Sequence, residues 1–166
     1  MWLGDNAPIG GEELSVFLQS NGPQMEARTQ MPLSDSFYEL ALDSSYTFSS
    51  LPASAVIVLI KQLVPEKGML FAKEVQKAQF AQGKRLDSLE TYESILKALE
   101  IEVSVFKENW MSENNLKATE IEFLKAREFA QGFPTLLIKQ NDSLQVLTSG
   151  YFDYESVEHY LKNNYF

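Results

Sequence analysis

The segment Ala126-Arg127-Glu128-Phe129-Ala130-Gln131-Gly132-Phe133-Pro134-Thr135-Leu136-Leu137-Ile138 constrains the fold of this chain more than any other. A helical pattern runs into Gly132, Pro134 follows, and an unbroken apolar run starts at Thr135. Glycine just past a helix with proline soon after is a stop signal. β-Branched and apolar residues running together without alternation read as a buried strand. Proline is tolerated at the mouth of such a strand, where its missing N–H costs little. The Phe133–Pro134 bond thus lies at a junction where a cis peptide can be held by its surroundings.

The elements on either side follow from caps and breakers. Ser112 is expected to cap the long helix that ends at Gly132, with Leu116, Thr119, Phe123, Ala126 and Ala130 as its stripe. After the apolar run, Asn141-Asp142 signals a hairpin turn. Leu144-Gln145-Val146-Leu147-Thr148 forms the returning strand and Gly150 ends it. Asp153 caps a last helix with Val157, Tyr160 and Leu161 inward. Upstream, Trp2 and Leu3 read as the last residues of a strand, followed by the turn Gly4-Asp5-Asn6. Residues 11–19 predict a short helix with Leu14, Phe17 and Leu18 on one side, broken by Asn21-Gly22-Pro23; residues 24–33 show no period. Ser34 caps a helix reaching Leu42, with Phe37, Leu40 and Ala41 inward. Asp43-Ser44-Ser45-Tyr46-Thr47 is a loop. Ser50 caps a helix with Pro52 in its first turn. Its body, 53–63, is apolar nearly all round and reads as a buried central helix. Pro65 opens a helix to about Gln82, with Leu70, Phe71, Val75, Ala78 and Gln79 on its inner face and Gly83 as its stop. Asp87-Ser88-Leu89-Glu90 resembles a capping box for a helix to Leu99, and 103–110 forms another short helix. The order is helices, strand, hairpin, strand, helix.

Composition bounds what such a chain can do. A length of 166 residues, 45% apolar, with eleven Phe and seven Tyr, can build a real core. A net charge of −9 disfavours nucleic acid and anionic membrane as partners. The longest apolar run, Ala55-Val56-Ile57-Val58-Leu59-Ile60, is far short of the roughly twenty residues a membrane helix needs. The start lacks the basic-then-apolar pattern of a signal peptide. With no cysteine, these residues offer no disulfide, no thiolate nucleophile and no thiolate metal ligand. The single His159 reads as a surface residue, and no metal or cofactor is expected. Glu120, Glu122 and Glu128 read as a solvated helix face. Trp2 and Trp110 read as core or lobe-interface residues. Tyr160, Tyr165 and Phe166 read as packing for the last helix or, alternatively, as a dimer contact.

Phe129-Ala130-Gln131-Gly132-Phe133-Pro134-Thr135-Leu136-Leu137 resembles the cis-proline segment of DsbA-family thiol-disulfide oxidoreductases, especially their cytosolic FrnE-like branch. Val75-Gln76-Lys77-Ala78-Gln79-Phe80-Ala81-Gln82-Gly83-Lys84-Arg85-Leu86 is similar to a helix and turn of that branch's inserted helical domain. Asp43-Ser44-Ser45-Tyr46-Thr47 with Leu51-Pro52-Ala53-Ser54-Ala55-Val56 resembles the entry to its buried helix. Gly150-Tyr151-Phe152 with Val157 and Leu161 fits its last strand and helix. The resemblance implies an α-rich α/β protein. It would be an incomplete thioredoxin-like fold with a large helical domain and a small C-terminal β-hairpin plus helix. Residues 1–9 would be a strand remnant, 10–131 the helical domain, and 132–166 the β-β-α part. It also implies a cytoplasmic location and a cis Phe133–Pro134 bond.

Family members carry a strand and a Cys-x-x-Cys helix that have no counterpart in this sequence. The resemblance therefore implies a truncated or degenerate relative of protein disulfide oxidoreductases and isomerases, redox-inactive as written and with no catalytic residue to name. What it leaves of the site is the substrate-side wall, Phe133, Pro134 and Thr135, expected to face an extended peptide or protein substrate. The alternative is a non-catalytic peptide- or protein-binding module using the same groove by strand addition. A glutathione-dependent isomerase on this scaffold would need a serine near the same absent helix. The open edge at 135–138 is expected to pair with other chains and could make a homodimer.

Overall fold

The computed structural model describes residues 2–165. Ten regular elements follow one another: α1 (Glu12–Thr29), α2 (Asp35–Ala41), α3 (Ser50–Leu63), α4 (Gly68–Phe80), α5 (Leu89–Ala98), α6 (Val103–Asn109), α7 (Glu113–Phe129), β1 (Thr135–Gln140), β2 (Ser143–Ser149) and α8 (Tyr154–Asn164). Short 3-10 turns occupy Gly4–Asn6 and Pro65–Lys67. The chain forms two compact units, Met1–Glu120 and Ile121–Phe166, with the divide inside α7.

The first unit is all helical, and its core is built on α3. Val56 and Ile60 of α3, Phe71 of α4, Tyr92 and Leu96 of α5 and Phe106 of α6 are essentially without solvent contact. Full burial of such side chains stabilises by about 1.5–3 kcal/mol each. This explains why α3 is a helix despite its β-branched residues: neighbours cover it on several sides, and packing overrides propensity. Trp110 packs on this cluster, its ring 5.3 Å from Tyr92 and 6.0 Å from Phe106. Trp2 is 40% exposed and belongs to no such cluster. A second cluster joins Leu14 of α1 to Phe37, Leu40 and Ala41 of α2 and to Tyr46 and Phe48. Phe37, Leu40 and Ala41 therefore face inward as their spacing predicts, under a cap in which Ser34 Oγ accepts the Phe37 N–H at 3.1 Å.

Several local expectations are corrected. Trp2 and Leu3 join no strand. The Trp2 N–H donates to Ser50 Oγ at 3.1 Å and its carbonyl accepts the Ser50 N–H at 2.8 Å, so the groups a strand would use are taken by the start of α3. Met1 lies outside the described residues. Ser50 being so engaged, Ser49 is the cap of α3, accepting the Leu51 N–H at 3.2 Å. The segment instead pairs at an antiparallel bridge between Ile9 and Thr47.

Helix α1 runs straight through Asn21-Gly22-Pro23 to Thr29. Interior proline removes one helical donor, the one the Gln19 carbonyl would accept, and costs about 3 kcal/mol; two side chains bond carbonyls of the preceding turn. Ser20 Oγ donates to the Val16 carbonyl and Asn21 Nδ2 to the Phe17 carbonyl, at 2.8 and 2.7 Å. Gly22 has a packing reason as well: a Cβ there would overlap the Tyr38 hydroxyl of α2. Phe17 points away from the core and is 55% exposed, whereas Leu14 is buried. Leu70 is likewise exposed while Phe71, Val75 and Ala78 of α4 are buried.

The capping box expected at residues 87–90 does not form. Ser88 makes no side-chain cap bond, and Asp87 is drawn to Arg85 at 2.8 Å. The Arg85 guanidinium also meets Asp43 Oδ2 at 3.1 Å and lies over the Tyr46 ring at 5.1 Å. The hydrogen bonds that Arg85 donates to Asp87 lead the effects that raise the Arg85 pKa. Burial raises the Tyr46 hydroxyl, which in turn accepts the Leu86 N–H at 3.2 Å. Asn115 and Thr119 of α7 are buried polar residues. Asn115 Nδ2 donates to the Ala55 and Trp110 carbonyls at 2.8 and 2.7 Å, and Thr119 Oγ1 donates to the Asn115 carbonyl at 2.8 Å.

The second unit holds the end of α7, an antiparallel pair β1–β2 and α8. The pairing aligns Thr135 with Ser149 and Gln140 with Ser143, with a bulge after Leu136 that shifts the register between Leu136↔Thr148 and Leu137↔Val146. Asn141 takes the positive φ of 53° that the turn needs, a conformation Asn tolerates. Residues 135–138 are half-buried, less than the full burial their sequence suggests. Asp153 caps α8, its Oδ1 accepting the Ser156 N–H at 2.8 Å. That bond holds the Asp153 carboxyl below the usual carboxylate range. Val157 and Leu161 are half-buried on one side of α8, but Tyr160 is 46% exposed with its ring 6.2 Å from that of Tyr165. Phe166, expected to pack with them, lies outside the described residues.

Candidate functional site

The turn between α7 and β1 places the three residues singled out from sequence. Helix α7 ends at Phe129, and the Phe133–Pro134 peptide bond is cis. The turn is tied twice, both times at the end of the sheet where β1 starts and β2 ends. Thr135 Oγ1 donates to the Gly132 carbonyl at 2.6 Å, and the Gly150 N–H donates to the Pro134 carbonyl at 2.8 Å. Phe133 and Pro134 are exposed, Phe133 at 54%, while Thr135 is half-buried as the first residue of β1. Phe133, Pro134 and Thr135 therefore form one continuous stretch of surface and strand end.

The closing half of this loop is not evident from sequence. Gly150 reads there only as a strand end, yet its φ of 86° turns its N–H onto Pro134. A glycine at the end of a strand opposite a proline is the signal that carries this. One edge of β1 is bonded to β2, and no other strand pairs with it among the described residues.

Backbone N–H and C=O groups on an unpaired strand edge bind extended chains, and an exposed aromatic ring beside them adds apolar contact. None of Phe133, Pro134 and Thr135 has a side chain that titrates near neutral pH. His159 is exposed on α8 with Asn163 Nδ2 at 2.8 Å from its Nε2, away from this turn in sequence and held by its own helix. Among the described residues no group of His, Asp and Glu is arranged to hold a metal ion, and no helix is long and apolar enough to cross a membrane.

No protein-family model matches the sequence, and no curated protein matches it. Solved structures do. A protein from Nitrosomonas europaea assigned as a protein disulfide isomerase superposes with a TM-score of 0.79 at 21% identity, covering 93% of this chain and 78% of that one. The cytosolic disulfide reductase DsbM from Pseudomonas aeruginosa superposes with a TM-score of 0.75 at 21% identity, over 95% of this chain and 80% of the reductase. The same reductase solved with GSH gives a TM-score of 0.75 over 94% and 78% of the two chains. The chain has a DsbA-like fold. It is helix-rich with a small antiparallel sheet, a thioredoxin-like arrangement carrying a helical insertion. This agrees with the α-rich, incomplete thioredoxin-like fold expected from the motifs.

Proposed function

We propose that this protein is a relative of the DsbA-type disulfide isomerases and reductases, and that its 166 residues perform no thiol–disulfide exchange themselves. The observation that carries the reading is the match in fold to two such proteins across more than nine-tenths of the chain. The chemistry sets its limit. Exchange begins with a thiolate attacking a disulfide sulfur, and the sequence contains no cysteine. The role left to the chain is substrate capture. An extended peptide or protein segment would add to the free edge of β1 through main-chain bonds, with Phe133, Pro134 and Thr135 as its wall. The same edge would admit a second copy of the chain, giving a homodimer. The functional division we propose is a short entry segment 1–9, a helical domain 10–131 and a β-β-α part 132–166. Nucleic acid and membrane are poor partners for a chain of charge −9, and the proposed location is cytoplasmic.

Two measurements test this together. In a glutathione-driven insulin reduction assay the chain should give no rate above background; a rate above background would refute the redox-inactive reading. Titration with an unfolded, cysteine-free peptide, followed by amide NMR, should shift β1 and the 132–135 turn. No shift at any peptide concentration would refute capture at this edge.

A further inference from the structure

The helical unit carries an apolar hollow that the β1 edge does not explain. It has a volume of about 330 Å³ and lies between the C-terminal end of α1, the 29–33 connection and the outer face of α4. Met25, Met31, Pro32, Leu33 and Phe80 form its apolar wall, with Lys73 and Lys77 on the α4 side. Its size lies at the lower end of the range of small-molecule sites, roughly 300–1,000 Å³. Three of the apolar side chains are left open to solvent: Met31 at 68%, Met25 at 43% and Phe80 at 39%. Methionine adapts its shape to flexible apolar ligands.

The charges decide what kind of ligand. Lys73 and Lys77 are one helical turn apart on one face of α4, and both side chains line the hollow. Lys73 makes no ion pair or hydrogen bond among the described residues. Lys77 reaches Glu74 only at 3.6 Å, with 56% of its side chain exposed, a contact worth little and readily exchanged. Glu26 of α1 also stands at this connection, its Oε1 accepting the Leu33 N–H at 2.7 Å. The walls are shaped by backbone bonding as well. Gln30 closes α1 with a left-handed φ of 57°, and Thr29 Oγ1 accepts the Met31 N–H at 3.3 Å. The result is an apolar hollow with two lysines in its lining on a protein of net charge −9.

We propose that this hollow binds a single-chain amphipathic carboxylate, its alkyl tail against Met25, Met31 and Phe80 and its head between Lys73 and Lys77. At about 30 Å³ per small group, the volume accepts a tail of roughly ten carbons. The carboxylate takes charge-assisted hydrogen bonds from the ammonium groups, which an alkyl cation cannot do.

Decanoate is the probe, used below its micelle concentration and followed by the methionine methyl NMR signals and by calorimetry. Saturable binding with a Kd below about 1 mM is expected. Met25 and Met31 methyls should shift, while those of Met69 and Met111 stay in place. K73Q/K77Q should weaken binding about tenfold, with the helical circular dichroism unchanged. Decyltrimethylammonium, with a similar tail and opposite head, should bind at least about tenfold more weakly, and butyrate should not saturate. The proposal falls if decanoate gives no saturable shift. It falls equally if Met69 and Met111 shift as much as Met25 and Met31, or if the alkyl cation binds as well as the carboxylate. The methyl pattern in the unmodified protein decides the matter even where the double variant fails to fold.

Discussion

In Met1–Glu120 the side chains of Tyr46, Tyr92, Phe71 and Phe106 have almost no solvent contact; in Ile121–Phe166 no described side chain is fully buried. The first unit is held by packing between helices. The second is held by backbone pairing and local devices: the bulged β1–β2 ladder, the Asn141 turn, the Thr135–Gly132 and Gly150–Pro134 bonds and the Asp153 cap. A two-stranded hairpin of this kind is marginal by itself in water. A unit without a dry core of its own is suited to take on a further strand, and this is the physical sense of the capture proposed for β1. A helical unit with its own core can instead carry a separate pocket.

The largest expected difference comes from cutting each unit at its most characteristic residue. Phe106→Ala removes a fully buried ring and should destabilise the protein by about 3–5 kcal/mol in urea unfolding. Val146→Ala on β2, where Val146 is 55% exposed, should stay within about 0.5 kcal/mol. Native-state hydrogen exchange should show the same asymmetry, with amides of 135–149 exchanging faster than those of α3. Equal costs for the two substitutions, or stronger protection in the hairpin, would erase the contrast.

Next in size is the buried polar residue Asn115. Asn115→Ala should cost about 1–3 kcal/mol, because it removes two buried hydrogen bonds, from Asn115 Nδ2 to the Ala55 and Trp110 carbonyls. Its Oδ1 has no protein partner among the described residues, so only the donor half of the amide is used. Asn115→Asp, which loses the donors and adds a charge, should be worse than alanine. A smaller cost for Asp than for Ala would contradict this account. Arg85→Gln comes below it. Arg85 is about one-third exposed where it meets Asp43 and Asp87, so solvent and salt screen those pairs. The expected loss is at most about 1 kcal/mol and should shrink as salt is added; a loss independent of salt would point to the Tyr46 stacking instead.

What is legible in the sequence tracks the same division. Ser34, Asp153, Asn141-Asp142 and Gly132-Phe133-Pro134 act within a few residues, so their roles can be read without knowing what they pack on. The helix-strand-strand-helix order of the C-terminal part is legible for this reason, and the cis Phe133–Pro134 bond from the motif around it. Non-local partners are not. Gly22-Pro23 looks like a break, and the Tyr38 hydroxyl that explains Gly22 is on another helix. Asp87-Ser88-Leu89-Glu90 looks like a capping box, but Asp87 is claimed by Arg85. The Trp2-Leu3 start looks like a strand, but Ser50 takes its backbone groups. Asn115 gives no signal, being one more polar residue among several on α7. Around the proposed site, the turn that carries Phe133, Pro134 and Thr135 is legible from its motif, while the Gly150 tie needs the strand pairing to be seen.

The smallest expected effect tests whether the second unit does rest on local devices. Asp153 Oδ1 accepts the Ser156 N–H, and the bonds from Ser156 lower its pKa. A carboxylate whose folded pKa is depressed contributes stability that is fully present above the unfolded value, about 3.9, and is lost as pH falls through the folded value. Acidification below pH 4 should therefore loosen the first turn of α8, seen as movement of the Ser156 and Val157 amide signals. Asp153→Asn keeps a capping acceptor that does not titrate, so in that variant the acid-induced movement should be much reduced. Identical acid titrations of wild type and D153N would mean that the cap does not hold α8, and that something other than local bonding organises the C-terminal unit.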